Sequence, residues 1–473
     1  MFFPLEQYSP EQPALVEPSG CIHTYSQLIA NGKHIAKWPV QRSLVLCLTS
    51  NTIAFTTGYV GLLSAKAVPL LLDGELNPEL LQNLISLYQP AYLWVPQSKA
   101  KTFSACKPID TLSDYILLKT EFTPHQELNP ELSLLLTTSG STGSPKLVRQ
   151  SAGNILSNAQ AIAQYLELDS TSERAILTLP LYYTFGLSIL HSHLLTGGTI
   201  LLSDYSVIQQ EFWEYFEREK ATSISGVPMT YALLERAGFF ERELPSLRYF
   251  TQAGGKLPHR LHQKCAVYAR EHDKRFYAMY GQTEATARMS YLPWQRAEEK
   301  CGSIGIAIPG GAFRLLQENG EEITQSNQEG ELVYEGPNVT LGYAECPQDL
   351  AREDDFHGVL HTGDLAMRDA DGYYYVTGRK KRMVKLFGSR VSLDECERLL
   401  REKFSGAEFA CVGIDDHITV FIERTVDYNT QPILTYLSNT LRFPARAFHA
   451  REIKQIPRTD AGKILYTHLE EQL

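Results

Sequence analysis

Short apolar runs alternate with segments of helical period along the first hundred residues, and this alternation constrains the fold more than any other feature. Tyr25 to Lys37 has helical spacing, Leu44 to Leu48 reads as a buried strand, Thr52 to Ala65 as a helix and Val68 to Leu72 as a second strand. Pro78 to Leu87 and Ala91 to Val95 repeat the pair. Strands alternating with helices imply a parallel sheet covered by helices on both faces. The pattern resumes with the helix Asn154 to Leu166, the strands Ala175 to Leu179 and Thr199 to Leu202, the helix Val207 to Glu217 and the strand Leu247 to Gln252. Residues 96–132 are polar and mixed and are expected to lead over the surface. A chain of 473 residues exceeds one core, so two or more domains are expected.

With 43% hydrophobic and 21% charged residues the composition is that of an ordinary globular protein. The net charge of −10 is spread along the chain, which argues against nucleic acid or an anionic membrane as a main partner. Eight scattered cysteines without a C-x-x-C pair fit reduced thiols better than disulfides or a zinc site. The N-terminal stretch has no basic segment before an apolar core, so no signal peptide is expected, and a cytoplasmic location follows. The most apolar region, Leu44 to Leu72, is broken by polar residues and Lys66 and is not a membrane span.

Leu134 to Val148 reads LLLTTSGSTGSPKLV. A buried-strand run empties into Thr138, Ser139, Gly140, Ser141, Thr142, Gly143 and Ser144, and ends at Pro145-Lys146. Glycines let backbone N–H groups turn inward, the hydroxyls add donors, and Lys146 adds positive charge, a combination suited to a polyphosphate. It is not the Walker loop, because Pro145 stands where that motif has Gly and Leu147 follows the lysine. The plain alternative, a flexible linker, rarely follows a buried strand.

This loop resembles the phosphate loop of the adenylate-forming superfamily: acyl-CoA synthetases, luciferases and the adenylation domains of peptide synthetases. Further segments match that superfamily in order, over nearly the whole chain. In LPLYYTFGLSILHSHLLTGG, Tyr182, Tyr183 and Phe185 stand where the acyl-pocket aromatics are expected, although aromatics of this kind also fill ordinary cores. Tyr183 replaces the frequent His, and His191 and His193 read as structural. Gly226-Val227-Pro228 is a strand-to-helix turn assigned by the resemblance to the same pocket. Gly254-Gly255-Lys256 exposes backbone that could lie flat against a nucleobase, and the resemblance makes it a wall of the adenine pocket. In Tyr280-Gly281-Gln282-Thr283-Glu284, the resemblance assigns Tyr280 to adenine, Thr283 to the α-phosphate and Glu284 to Mg²⁺, with Gly281 in the nucleotide loop. Met279 precedes the motif, either as plain packing or at the acyl tunnel. Gly302-Ser303-Ile304-Gly305 also matches.

Asp364, in HTGDL, is expected to bind the ribose hydroxyls, its plain alternative being a turn cap. Arg379 matches an arginine that contacts ribose and phosphate, and Lys381 falls at the hinge position, within a basic run that could otherwise be a solvated face. Lys463, after Asp460-Ala461-Gly462, matches the lysine that bridges the substrate carboxylate and the nucleotide.

The resemblance implies an α/β fold: a large N-terminal domain (1–378) of stacked mixed sheets with helices plus a small β subdomain, a hinge (379–382) and a small mobile α+β C-terminal lid (383–473). It implies ATP and Mg²⁺, with Lys146, Thr283, Glu284 and Lys463 in the chemistry. A carboxylic acid would become an acyl-adenylate and then pass to a thiol, that of CoA or of a carrier-protein phosphopantetheine, as the lid pivots and brings Gly388 near the site. Residues 180–187 hold no acid for an ammonium group, so an uncharged aromatic pocket for an acyl or aryl acid is expected. Transfer to an amine or hydroxyl, or a nucleotide-binding protein without turnover, are the alternatives. Leu147, where relatives usually have Gly, is a further departure.

Overall fold

The computed structural model describes residues 1–473 apart from 124–126, 138–145, 170–171, 387–388, 405, 415, 425–429, 442 and 460–461. Of Lys381, Lys385, Ser389, Arg390 and Arg424 only the backbone is described. The chain forms two compact units, one of residues 1–312 and 335–360, the other of residues 313–334 and 361–473.

The first unit holds two mixed sheets. One has the strand order Tyr343–Ala344, Leu147–Ser151, Leu132–Thr137, Val68–Asp73, Leu44–Thr49, Tyr92–Pro96, Tyr115–Lys119, Lys107–Leu112. Its central strands are parallel and its edges antiparallel. Every residue of Leu44–Thr49 is buried, as expected for a strand covered on both faces, and this explains its unbroken apolar run. The other sheet runs Ile306–Ala307, Ser290–Tyr291, Arg275–Tyr280, Tyr249–Gln252, Ser223–Gly226, Arg174–Leu177, Thr199–Leu202, Pro13–Val16, Ile22–Thr24, again parallel in the middle. The helices Ile53–Ser64 and Thr184–Thr196 are buried nearly all round, which accounts for their apolarity on every face. They meet through the Tyr59 hydroxyl and His191 Nε2, 2.8 Å apart. Asn51 Nδ2 donates to Leu179 O and Ser203 O, both at 3.3 Å, and so joins the end of one sheet's central strand to the other sheet.

Local signals set the boundaries. Ser151 and Asn154 form a capping box at the start of Ala152–Leu166, and Asn77 caps Pro78–Tyr88 with Pro at the first position. Gly197, at φ +80°, ends Thr184–Thr196 in the left-handed conformation.

One expectation needs correction, and one strand goes unread. Residues 96–132 are more than a surface connection: Lys107–Leu112 and Tyr115–Lys119 form an antiparallel hairpin at the sheet edge. After Lys146 the chain returns as the strand Leu147–Ser151, antiparallel to Leu132–Thr137, before the helix begins. The phosphate-loop residues Thr138, Ser139, Gly140, Ser141, Thr142 and Gly143 lie between the two strands, outside the described residues.

The second unit combines the sheet Ala312–Leu316, Gly330–Glu335, Val359–Arg368, Tyr374–Arg379 with the hairpin Met383–Leu386/Ser389–Ser392 and the sheet Ala407–Ile414, His417–Arg424, Phe448–Ile453. Helices Leu393–Lys403 and Gln431–Leu441 pack on a core that includes Leu393, Leu400, Phe409, Val420, Ile433 and Leu437. No helix among the described residues is long and apolar enough to cross a membrane.

Candidate active site

Arg149 is fully buried in the strand that follows the phosphate-loop segment. Its guanidinium donates to the carbonyls of Tyr343 and Arg352 at 3.0 and 2.6 Å, and pairs with Asp355 at 2.7 Å. These bonds hold residues 341–355 against the strand. Tyr343 is thereby fixed beside two of the expected ATP residues. Its hydroxyl donates to Glu284 Oε1 at 2.8 Å, and Lys146 Nζ lies 3.7 Å from its ring centroid. Lys146 also reaches Glu345 at 3.2 Å. Burial, with Glu284 adding to it, raises the Tyr343 phenol well above its ordinary value, so it stays a donor. The Thr340 N–H donates to Glu284 O, and Gln150 Nε2 reaches Thr283 O at 3.5 Å, which ties the short turn Thr283–Ala285 to the same strand. Among the described residues no group of three or more His, Cys, Asp or Glu side chains could hold a metal.

Tyr280 ends the strand Arg275–Tyr280, and Gly281 must be glycine: a Cβ there would lie 1.6 Å from Ala287 O. A second forced glycine is Gly254, at φ +82°, where a Cβ would fall 2.5 Å from the Tyr183 hydroxyl and 3.0 Å from Val227. The expected adenine-side turn and the expected acid pocket therefore share a wall. Gly226 ends its strand against Thr230, Gly255 lies over Pro228, and Lys256 is exposed. Tyr182 and Tyr183 are half-buried just before Thr184–Thr196, and Phe185 is buried edge-on to Tyr183 at 6.3 Å. Burial pushes the Tyr183 phenol up to about 12.

The uncharged pocket expected from residues 180–187 is incomplete. Arg288 lies against Phe185 and Met279, with its guanidinium 5.1 Å from the Phe185 ring centroid and Nη1 3.5 Å from the Met279 sulfur. Met279 also receives the Tyr165 hydroxyl at 3.0 Å. Nothing in the spacing around Arg288 singled it out, because all the neighbours of its guanidinium but Met279 come from 100 or more positions away in sequence, Ser188 and Tyr165 among them.

In the second unit Asp364 and Arg379 stand opposite each other on paired strands, their side chains 3.2 Å apart. Asp364 is buried and belongs to a strand, so the turn-cap alternative does not apply. The basic run is no plain solvated face either. Lys380 pairs with Glu331 at 2.8 Å, and the buried Arg382 pairs with Glu397 at 2.6 Å and lies over the Tyr466 ring at 3.5 Å. Lys381 stands between these two anchored residues in the turn Lys380–Arg382. Lys463 follows Gly462, whose φ is +78°, and its backbone closes a tight turn on Thr459 at 2.7 Å. Asp460, Ala461 and Gly388 lie outside the described residues.

The family described as AMP-binding enzyme matches residues 5–344. A long-chain-fatty-acid–CoA ligase of Bacillus subtilis (strain 168) is 26% identical over 75% of this chain and 64% of its own. An indoleacetate–CoA ligase of Aromatoleum aromaticum is 30% identical over 72% of this chain and 67% of its own. The chain thus spans less than two thirds of the first relative's length. The O-succinylbenzoate coenzyme A synthetase of Bacillus subtilis, solved in complex with ATP and magnesium ion, superposes with a TM-score of 0.79 at 22% identity, covering 98% of both chains. The structural likeness shows a shared fold, and the family match over residues 5–344 gives the conclusion: this chain belongs to the adenylate-forming AMP-binding enzymes.

Proposed function

We propose that this protein activates a small carboxylic acid with ATP as an acyl-adenylate, releasing pyrophosphate, and passes the acyl group to the thiol of CoA, releasing AMP. The observation that carries the reading is the Glu284–Tyr343–Lys146 cluster beside the strand that follows the phosphate-loop segment. A carboxylate with one oxygen on a neutral phenol leaves its second oxygen for a hard cation. Mg²⁺ takes one or two carboxylates and fills its remaining positions with phosphates and water, so Glu284 fits it without further acidic ligands. When bound, the ion would neutralise phosphate charge.

The chain's own residues do the rest. Lys146 and the hydroxyls of residues 138–144 hold the β- and γ-phosphates. Tyr280, Gly281 and the Gly254–Lys256 turn flank the adenine, and Asp364 with Arg379 holds the ribose and phosphate. The substrate carboxylate attacks the α-phosphate and pyrophosphate leaves. Thr283 and Lys463 steady the charge that develops on the α-phosphate oxygens. Lys381 serves as the pivot that removes Lys463 and admits the thiol, a role suited to a residue between two anchored neighbours. The eight free cysteines fit a reducing, cytoplasmic location.

ATP–pyrophosphate exchange with a panel of carboxylic acids tests the first half-reaction, and silence with every acid would overturn it. Lys463→Ala is expected to lose exchange by about 100-fold or more, while forming thioester from supplied acyl-adenylate. Product assays with CoA, a holo carrier protein and amines identify the acceptor, and thioester with a carrier protein alone would move the reading from CoA to that partner.

A further inference from the structure

Three arginines among the described residues are buried, and they differ in one respect. Arg149 meets Asp355, and Arg382 meets Asp394 and Glu397. Arg288, only 2% exposed, meets no carboxylate among the described residues. Its Nε donates to Ser188 Oγ at 3.0 Å and its Nη1 to the Tyr165 hydroxyl at 2.9 Å and the Met279 sulfur, while Phe185 offers a ring face. All four partners are uncharged. Burial raises the Tyr165 phenol, so no tyrosinate balances the cation. A guanidinium stays protonated, and taking it from water without a counter-charge is unfavourable. Its backbone is also held in place: Arg288 O accepts from Asn158 Nδ2 at 2.8 Å and from Asn338 Nδ2 at 3.2 Å.

The position of the cation gives it a use. Phe185, against the guanidinium, also faces Tyr183, and the Tyr183 hydroxyl lies beside Gly254 on the proposed nucleotide side. A line of side chains thus runs from the proposed adenine-side turn, which shares a wall with the expected acid pocket, to a buried positive charge. Resting on the acid-activation reading above, we infer that Arg288 is a specificity-determining residue that receives a second anionic group of the substrate, so that the acid activated is a dicarboxylate or an equivalent doubly anionic acid. Ser188 and Tyr165 orient the guanidinium, and the substrate supplies the missing counter-charge.

The experiment compares pyrophosphate exchange for α,ω-dicarboxylates and monocarboxylates of matched length, in wild type and in Arg288→Met and Arg288→Lys. In wild type, kcat/KM for the best diacid should exceed that for its matched monoacid by about 100-fold or more, since a site built around a charged group rejects the analogue lacking it. Arg288→Met should lose most of that preference through a raised KM for the diacid, with monoacid turnover within about threefold. Arg288→Lys should retain part of it. Free Arg288→Met should melt no lower than wild type, because no ion pair is broken, and the diacid should raise the melting temperature of wild type alone. Equal use of matched acids by wild type, or parallel losses on both acid classes in Arg288→Met, overturns the inference. If Arg288→Met does not fold, the wild-type comparison and Arg288→Lys decide the matter. Exchange with no acid at all overturns the activation reading instead, a result distinct from exchange with monoacids only.

Discussion

Tyr343 shows how one side chain sets the charge of its surroundings without carrying any. Its phenol donates to Glu284 while its ring face receives Lys146, so it separates an acid and a base that would otherwise pair directly. Tyr343→Phe keeps the ring and removes the donor. Hydrogen bonds to charged groups contribute about 1.5–3 kcal/mol, so kcat/KM for ATP should fall about tenfold or somewhat more, with the magnesium requirement shifted upward. A magnesium titration of exchange activity checks this, and an unchanged requirement would detach Tyr343 from Glu284's role. Nothing in the sequence marked Tyr343, because aromatic residues are common and its partners are separated from it by 59 and 197 positions along the chain. Glu284, by contrast, is singled out by its own motif.

At the scale of elements, the antiparallel pair Leu132–Thr137 and Leu147–Ser151 does the positioning. Arg149 on its second strand gathers carbonyls of residues 341–353. Arg149→Met leaves Asp355 with Arg352 as its remaining partner and several buried carbonyls without a donor. Each buried carbonyl left unsatisfied costs about 1–3 kcal/mol. Chemical denaturation should show that loss, and limited proteolysis should cut first within residues 341–355. The proposed hinge belongs to this scale too. Lys381→Pro fixes a backbone angle between Lys380, held by Glu331, and Arg382, held by Glu397. On the proposed mechanism, exchange should stay within about threefold of wild type while overall thioester formation falls about tenfold. Equal effects on both half-reactions would remove the pivot from Lys381.

For the whole molecule, buried histidines set the acid side of stability. Burial lowers His191 to about 3, and His193 and His262 to about 4, from the ordinary 6.5. Below pH 6.5 the unfolded chain binds protons that the folded chain refuses, so stability falls as pH drops from there toward 4. Each such group contributes a slope approaching roughly 1 kcal/mol per pH unit within its window. Glu173 and Glu397, whose carboxyls burial raises from 4.5, act in the opposite sense just above that value. The histidine slope is therefore cleanest just below pH 6.5. His262 Nε2 lies 3.0 Å from Ala297 O, a contact that glutamine can keep. Melting temperature against pH should flatten in His262→Gln, and an unaltered slope would show that this histidine titrates normally in the fold.

The sequence by itself determined the alternation of strands and helices, the order of the nucleotide motifs and the family. Each of these depends on residues close together along the chain: period, turn chemistry and short spacing. Tertiary structure alone decided that residues 107–119 form an edge hairpin, that Tyr343 stands between Lys146 and Glu284, and that a buried Arg288 lies behind Phe185. These depend on segments 59 to 197 positions apart, or on a strand finding an edge, and local preference carries no record of such pairings. Burial then sets what a charge means: Lys380 and Arg382 sit two places apart in one basic run, yet one is a surface tie and the other is the centre of a buried ion network.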